Sequence, residues 1–147
     1  MEKLGAARFA NSELAQETEF LLARARAAGT GHANSRLLGL GLKARSYAVL
    51  SLAASGLEPT QRELAEFLSL DASQIVALVD HLEKENLVER RPAPADRRTN
   101  VIVATAPGRQ MYARARDVAR ETEEESLSAL TMAEREELRR LLSKITL

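Results

Sequence analysis

The chain contains no cysteine and no tryptophan, carries no net charge, and has no long apolar run. Without cysteine there are no disulfides, thiolate zinc sites or thiol redox chemistry, which fits a reducing cytoplasm. Two tyrosines and three phenylalanines are too few for the aromatic platforms on which single-stranded nucleic acid stacks. Nothing approaches 18 consecutive apolar residues, so no membrane span is expected. The opening MEKLGAARFANSELAQ lacks the apolar core of a secretory signal. The two histidines, His32 and His81, have no metal-ligand spacing and no neighbouring nucleophile motif, and no glycine-rich phosphate loop follows a strand. No catalytic residue, metal or cofactor is therefore expected. The 21 basic and 21 acidic residues cancel, so only the placement of charge can point to a partner.

What is there reads as one mainly α domain over 1–147, with a small β-hairpin. Three sequences, TQRE from Thr60, DASQ from Asp71 and TMAE from Thr131, put a side-chain acceptor three residues before Glu or Gln, the signature of a helix start. The spacing predicts a first helix over about 11–28 that ends in GTGHANSRLLGLG, where Gly29, Gly31, Gly39 and Gly41 are expected to provide turns. A second helix is expected over about 43–55, a short third over 61–67 and a fourth over about 72–85, with only SLD between the last two. Two short helices joined by so tight a turn form a helix-turn-helix. VERR and NVIVA, on either side of a proline loop, read as a two-stranded hairpin. A long helix with a Met111, Ala115, Val118, Thr122 stripe follows, and a last one with Leu138, Leu141, Leu142 and Ile145 on one face. A helix-turn-helix followed by a basic hairpin is a winged helix.

The wing is RRPAPADRRTN. Arg90, Arg91, Arg97 and Arg98 against Asp96 give a net +3, while Pro92 and Pro94 forbid a helix. Helical periodicity puts Ile75, Leu78, Val79 and Leu82 on the inner face of the fourth helix, with Ser73, Ala77, Asp80 and Lys84 opposite and Gln74 and His81 beside them. The exposed N-terminal part of such a helix enters the major groove. Ser73 and Gln74 are then the foremost base readers, Gln being suited to adenine's N6 and N7. Ala77 and His81 lie further along, and Thr60, Gln61 and Arg62 start the preceding helix. Between Asp71 and Glu85, however, one lysine stands among four carboxylates, a net −3. The wing must supply most of the phosphate neutralisation. Arg97 or Arg98 suits an adjacent minor groove, with Asp96 expected to fix an arginine fork.

Over about Lys43 to Pro107 the chain resembles the multiple antibiotic resistance regulator (MarR) family of bacterial and archaeal transcription factors. The resemblance rests on TQRELA, LVDHLE, NLVERR and DRR in order, with the family's D-x-R wing pattern on Asp96 and Arg98. It implies a DNA-binding part over about 43–105, with helices over about 9–30 and 107–147 intertwining in a homodimer. It also implies binding to a palindromic operator on double-stranded DNA, usually as a repressor released by a small aromatic or phenolic anion. Tyr47 and Arg90 lie near where the family's effector cleft forms. The competing reading is that Tyr47 packs in the core and Arg90 pairs with an acid. Ala77 and His81 stand where the family often has a basic residue, Asn86 where it prefers Gly, and ATAPG where it has LT-x-x-G. The lack of cysteine excludes the family's peroxide-sensing branch. Apolar residues near both ends, from Phe9 to Leu22 and from Leu138 to Leu147, independently suit a two-fold partner, which would set two recognition helices roughly 34 Å apart. The acidic fourth helix leaves a second reading open, a winged helix that binds protein rather than DNA.

Overall fold

The computed structural model describes residues 7–147; the first six residues of the stretch assessed for a secretory signal lie outside them. The described chain divides into two compact units, one of residues up to His32 with Thr122–Leu147, the other of Ala33–Glu121. Among the described residues no helix is long and apolar enough to cross a membrane, and no cluster of His, Asp and Glu is suited to a metal.

The first helix departs most from expectation. After a 3-10 turn at Leu14–Gln16, α1 runs over Thr18–Leu37, straight through Gly29 and Gly31. Glycine costs a helix only about 1 kcal/mol relative to alanine, and no proline interrupts the stretch. The chain leaves the helix through a second 3-10 turn, Leu38–Leu40, and the true terminator is Gly41, left-handed at φ 71°. Leu42 N–H donates back to Leu37 O, closing the end.

In the unit of residues 33–121, α2 (Ala44–Ala53), α3 (Gln61–Leu68) and α4 (Ala72–Lys84) enclose a core of Leu37, Leu42, Val49, Leu50, Leu64, Ile75, Val79 and Leu82. The inner stripe of α4 is as the periodicity predicts, with Leu78 half-buried. Ser69, left-handed at φ 53°, caps α3 and makes the tight turn. At the end of α4, Asn86 takes φ 58°, and Leu87 N–H returns to Leu82 O at 2.9 Å. Asparagine tolerates this conformation less well than glycine. Asn86→Gly is therefore expected to raise the unfolding free energy by up to about 1 kcal/mol, and Asn86→Val to lower it, as read by urea titration.

Strands β1 (Val88–Pro92) and β2 (Asn100–Ala104) pair antiparallel from Val88↔Ala104 to Pro92↔Asn100. A feature absent from the sequence reading extends this hairpin. Ile102 N–H donates to Pro59 O at 2.8 Å, and Thr60 bridges Val101, so the start of α3 is tied to the wing. The chain then enters α5 (Ala106–Ser126), on which Met111 and Val118 are half-buried and Ala115 and Thr122 buried.

The other unit holds the start of α1, the end of α5 and α6 (Met132–Thr146), which Thr131 caps by accepting from Glu134 N–H. His32 meets Glu125 at 2.7 Å. No residue of α6 is buried. Phe9, Leu14, Leu21, Leu141 and Ile145 are all about half exposed or more. Phe9, Leu14, Phe20 and Leu21, with Arg24, line an open apolar cavity of about 580 Å³.

Candidate nucleic-acid interface

Three elements build one surface: the start of α3, the outer face of α4 and the wing. Thr60 N–H donates to Glu63 Oε2 at 2.7 Å, and Glu63 N–H donates to Thr60 Oγ1 at 3.2 Å. Thr60's amide, then its hydroxyl, hold the Glu63 carboxyl below the ordinary carboxylate range. The box is thus present above that range and lost as pH falls through the lowered value. Arg62 is exposed and loosely paired with Glu66 at 3.2 Å, one turn on. An exposed ion pair of this kind is worth little, and its guanidinium can exchange partners.

On α4, Ser73, Ala77 and His81 are exposed and Gln74 is half-buried. Gln74 has a local occupation: its Oε1 accepts from Asp71 N–H at 3.1 Å. A bidentate pairing with adenine needs that same oxygen as well as the amide NH2. The bond from Asp71 takes one of the two lone pairs of Oε1 and leaves the other, with both NH2 hydrogens, open to a base.

The four wing arginines fall into two classes. Arg91 pairs with Glu89. Arg90 is fully engaged at the wing base. Its Nε and Nη2 donate to Gln61 Oε1 at 3.1 and 2.9 Å, Nη2 to Asp80 Oδ1 at 2.6 Å, and Nη1 to Glu83 Oε1 at 2.9 Å. The Arg90 amide also donates to Glu83 Oε2 at 3.1 Å. Arg90 therefore has no fork free to clamp an effector carboxylate, which corrects that expectation in favour of pairing with acids. Arg97 and Arg98, at the tip, are exposed; among the described residues neither guanidinium has a partner. Asp96 does not fix an arginine fork: its Oδ1 accepts from the Arg98 backbone N–H at 3.0 Å, and Thr99 N–H returns to Asp96 O. The carboxylate shapes the turn and leaves both guanidinium groups free.

Tyr47, half-buried on α2, stacks on Tyr112 of α5 with ring centroids 6.1 Å apart and planes inclined by 24°. The Arg116 guanidinium lies 5.9 Å from the Tyr112 centroid. Sequence reasoning found Tyr47 but missed Tyr112 and Arg116. It also missed Gln61, Asp80 and Glu83 as partners of Arg90. The one available signal was Asp80 and Glu83 at i, i+3, which share a helix face.

A helix-turn-helix whose second helix is exposed at its N-terminal end, followed by a hairpin with two free arginines at its tip, defines a winged helix-turn-helix protein. Residues 40–99 match the MarR family. A MarR-family transcriptional regulator from Rhodococcus sp. RHA1 is 34% identical, with a TM-score of 0.87 over 92% of this chain and 96% of that one. The chain belongs to the MarR family. CouR from Rhodococcus jostii RHA1, solved bound to p-coumaroyl-CoA, is 35% identical, with a TM-score of 0.83 over 92% and 96% of the two chains. A transcriptional repressor also named CouR, solved bound to a 23-mer DNA duplex, is 27% identical, with a TM-score of 0.82 over 91% and 95% of the two chains. A putative transcriptional regulatory protein for the hcr operon of Thauera aromatica is 32% identical over 67% of this chain; the match spans 60% of that protein's length.

Proposed function

We propose that this protein is a sequence-specific double-stranded-DNA-binding transcriptional regulator, a homodimeric repressor on a palindromic operator that acts by occupancy and not by catalysis. The observation that carries this reading is the pair of unpartnered arginines, Arg97 and Arg98, on a turn shaped by Asp96, with the exposed residues Ser73, Ala77 and His81 on α4 of the same unit. In this reading the wing-tip arginines Arg97 and Arg98 and Arg62 neutralise phosphates, Thr60 and Gln61 set the start of α3 against the backbone, and Ser73, Gln74, Ala77 and His81 face base edges. The second copy covers the apolar surface of the terminal segments, where no residue of α6 is fully buried within its own chain and Leu141 and Ile145 are exposed. Residues 33–121 then form the DNA-binding part and the terminal segments the dimerisation part, and the regulator works in the cytoplasm beside the DNA. CouR's duplex-bound structure supports the same assignment.

The effector is a small aromatic anion, free or as a thioester. Its class rests on the Tyr47–Tyr112 stack with Arg116 beside it, a cation and two aromatic faces suited to a planar acid, and on the p-coumaroyl-CoA bound by CouR. It acts by favouring a dimer spacing unfit for the operator. Selection of bound sequences from a random duplex pool tests the regulator reading; a palindrome with half-sites about one DNA turn apart is expected, and recovery of no preferred sequence contradicts it. Gln74, held at the start of α4 by its bond from Asp71, keeps a free lone pair and its NH2 donors, which suit adenine N6 and N7. Gln74→Ala is expected to relax base preference at one or two positions by about 1–3 kcal/mol, while affinity for scrambled duplex stays nearly constant. An unchanged selected sequence removes Gln74 from the interface.

A further inference from the structure

The recognition helix and its two capping residues, Asp71 to Glu85, carry a net −3, an awkward charge for an element laid beside phosphates. The structure holds a device that answers it. We infer that Arg90 is a positioning residue for DNA binding: it neutralises Asp80 and Glu83 of the recognition helix and locks that helix, the start of α3 and the wing into one rigid reading surface. The inference rests on the regulator reading above and goes beyond it, because Arg90 is given no contact with the DNA.

The geometry is specific. A single guanidinium bonds Gln61 at the first position of α3, Asp80 and Glu83 on successive turns of α4, and is itself carried by β1. Its side chain is only 23% exposed, whereas Asp80 and Glu83 are 59% and 42% exposed. The cation is thus the sheltered member, and the two carboxylates, left alone, would face solvent and any approaching phosphate. Glu83 holds β1 twice, through the guanidinium and through the Arg90 amide, so the strand cannot slide along α4 without breaking both bonds. Only a planar fork with several donors spans three elements in this way; a lysine ammonium supplies the charge as a compact point but not the fork.

Charge and fork can be separated by experiment. Full-length wild type, Arg90→Lys, Arg90→Gln, and Arg90→Gln combined with Asp80→Asn and Glu83→Gln are titrated against the selected palindromic duplex and a scrambled duplex across a salt series, with thermal melts in parallel. Arg90→Lys should keep its affinity for scrambled DNA within about threefold of wild type but lose about tenfold in preference for the palindrome. Arg90→Gln should lose about tenfold on both duplexes at low salt, with a flatter dependence on salt. The triple variant should regain the scrambled-duplex affinity, because the uncompensated carboxylates are gone. A merely structural role would lower the melting temperature and both affinities together, leaving the palindrome-to-scrambled ratio and the salt slope unchanged; that pattern overturns the inference. So does a triple variant as weak as Arg90→Gln, or an Arg90→Lys with full preference. If wild type binds neither duplex, the regulator reading itself falls, and this inference with it.

Discussion

Replacing Gly108 by alanine is expected to unfold the winged-helix unit. A Cβ at this buried position would lie 1.8 Å from Leu87 O and 2.8 Å from Leu87 C, both backbone atoms. Neither can step aside cheaply. Leu87 O accepts from Thr105 N–H at 3.1 Å, Thr105 Oγ1 donates to Asn86 O at 2.6 Å, and Gly108 N–H donates to Thr105 Oγ1 at 3.0 Å. This clasp joins the exit of α4 to the entry of α5, and the close approach leaves no room for a side chain. Relief requires α5 to move away from the helix-turn-helix, a core disruption worth about 4 kcal/mol or more. Chemical denaturation should show a lost or strongly weakened transition. Gly31→Ala is the control: it lies inside α1 with nothing within 4 Å of the added Cβ, and it should leave stability unchanged or raise it by up to about 1 kcal/mol. Equal behaviour of the two variants would contradict the packing described here.

The second large effect is on affinity. The Arg97→Ala, Arg98→Ala double variant removes both free guanidinium groups of the wing tip and nothing that supports the fold, since the turn is held by Asp96 and backbone bonds. Each lost phosphate contact should flatten the slope of log affinity against log salt by about 1. At moderate salt the double variant should bind about a hundredfold more weakly, about 2.7 kcal/mol, on palindromic and scrambled duplexes alike. The melting temperature should not change. An unaltered salt slope would place the phosphate contacts elsewhere on the protein.

What the sequence shows well here is what depends on near neighbours. The starts of α3 and α6 follow from Thr60 with Glu63 and Thr131 with Glu134, three residues apart, and the boundaries of α4 follow from a cap at one end and Asn86 at the other. The inner stripe of α4 needs only the helical period. The wing is legible because a basic proline loop separates VERR from the β-branched NVIVA. The extent of α1 was not, since Gly29 and Gly31 weaken a helix too little to end it, and of the four glycines in that stretch only Gly41 takes a left-handed conformation. The state of the wing arginines was hidden too. Arg90 and Arg98 are equivalent in composition, yet one is locked at the junction of α3, α4 and β1 while the other is free. That difference depends on Gln61, 29 residues away in sequence, which no local pattern reports. For the same reason Asp96 was assigned to a guanidinium when the turn brings it to a backbone amide.

The decisive measurement is a salt titration of the unmodified protein on the palindromic duplex it selects, compared with a scrambled duplex of equal length. Log affinity should fall linearly with log salt on both, the palindrome staying tighter throughout, and the active species should be a dimer. Affinity indifferent to salt, or binding to neither duplex, would contradict a DNA-reading surface neutralised at the wing tip.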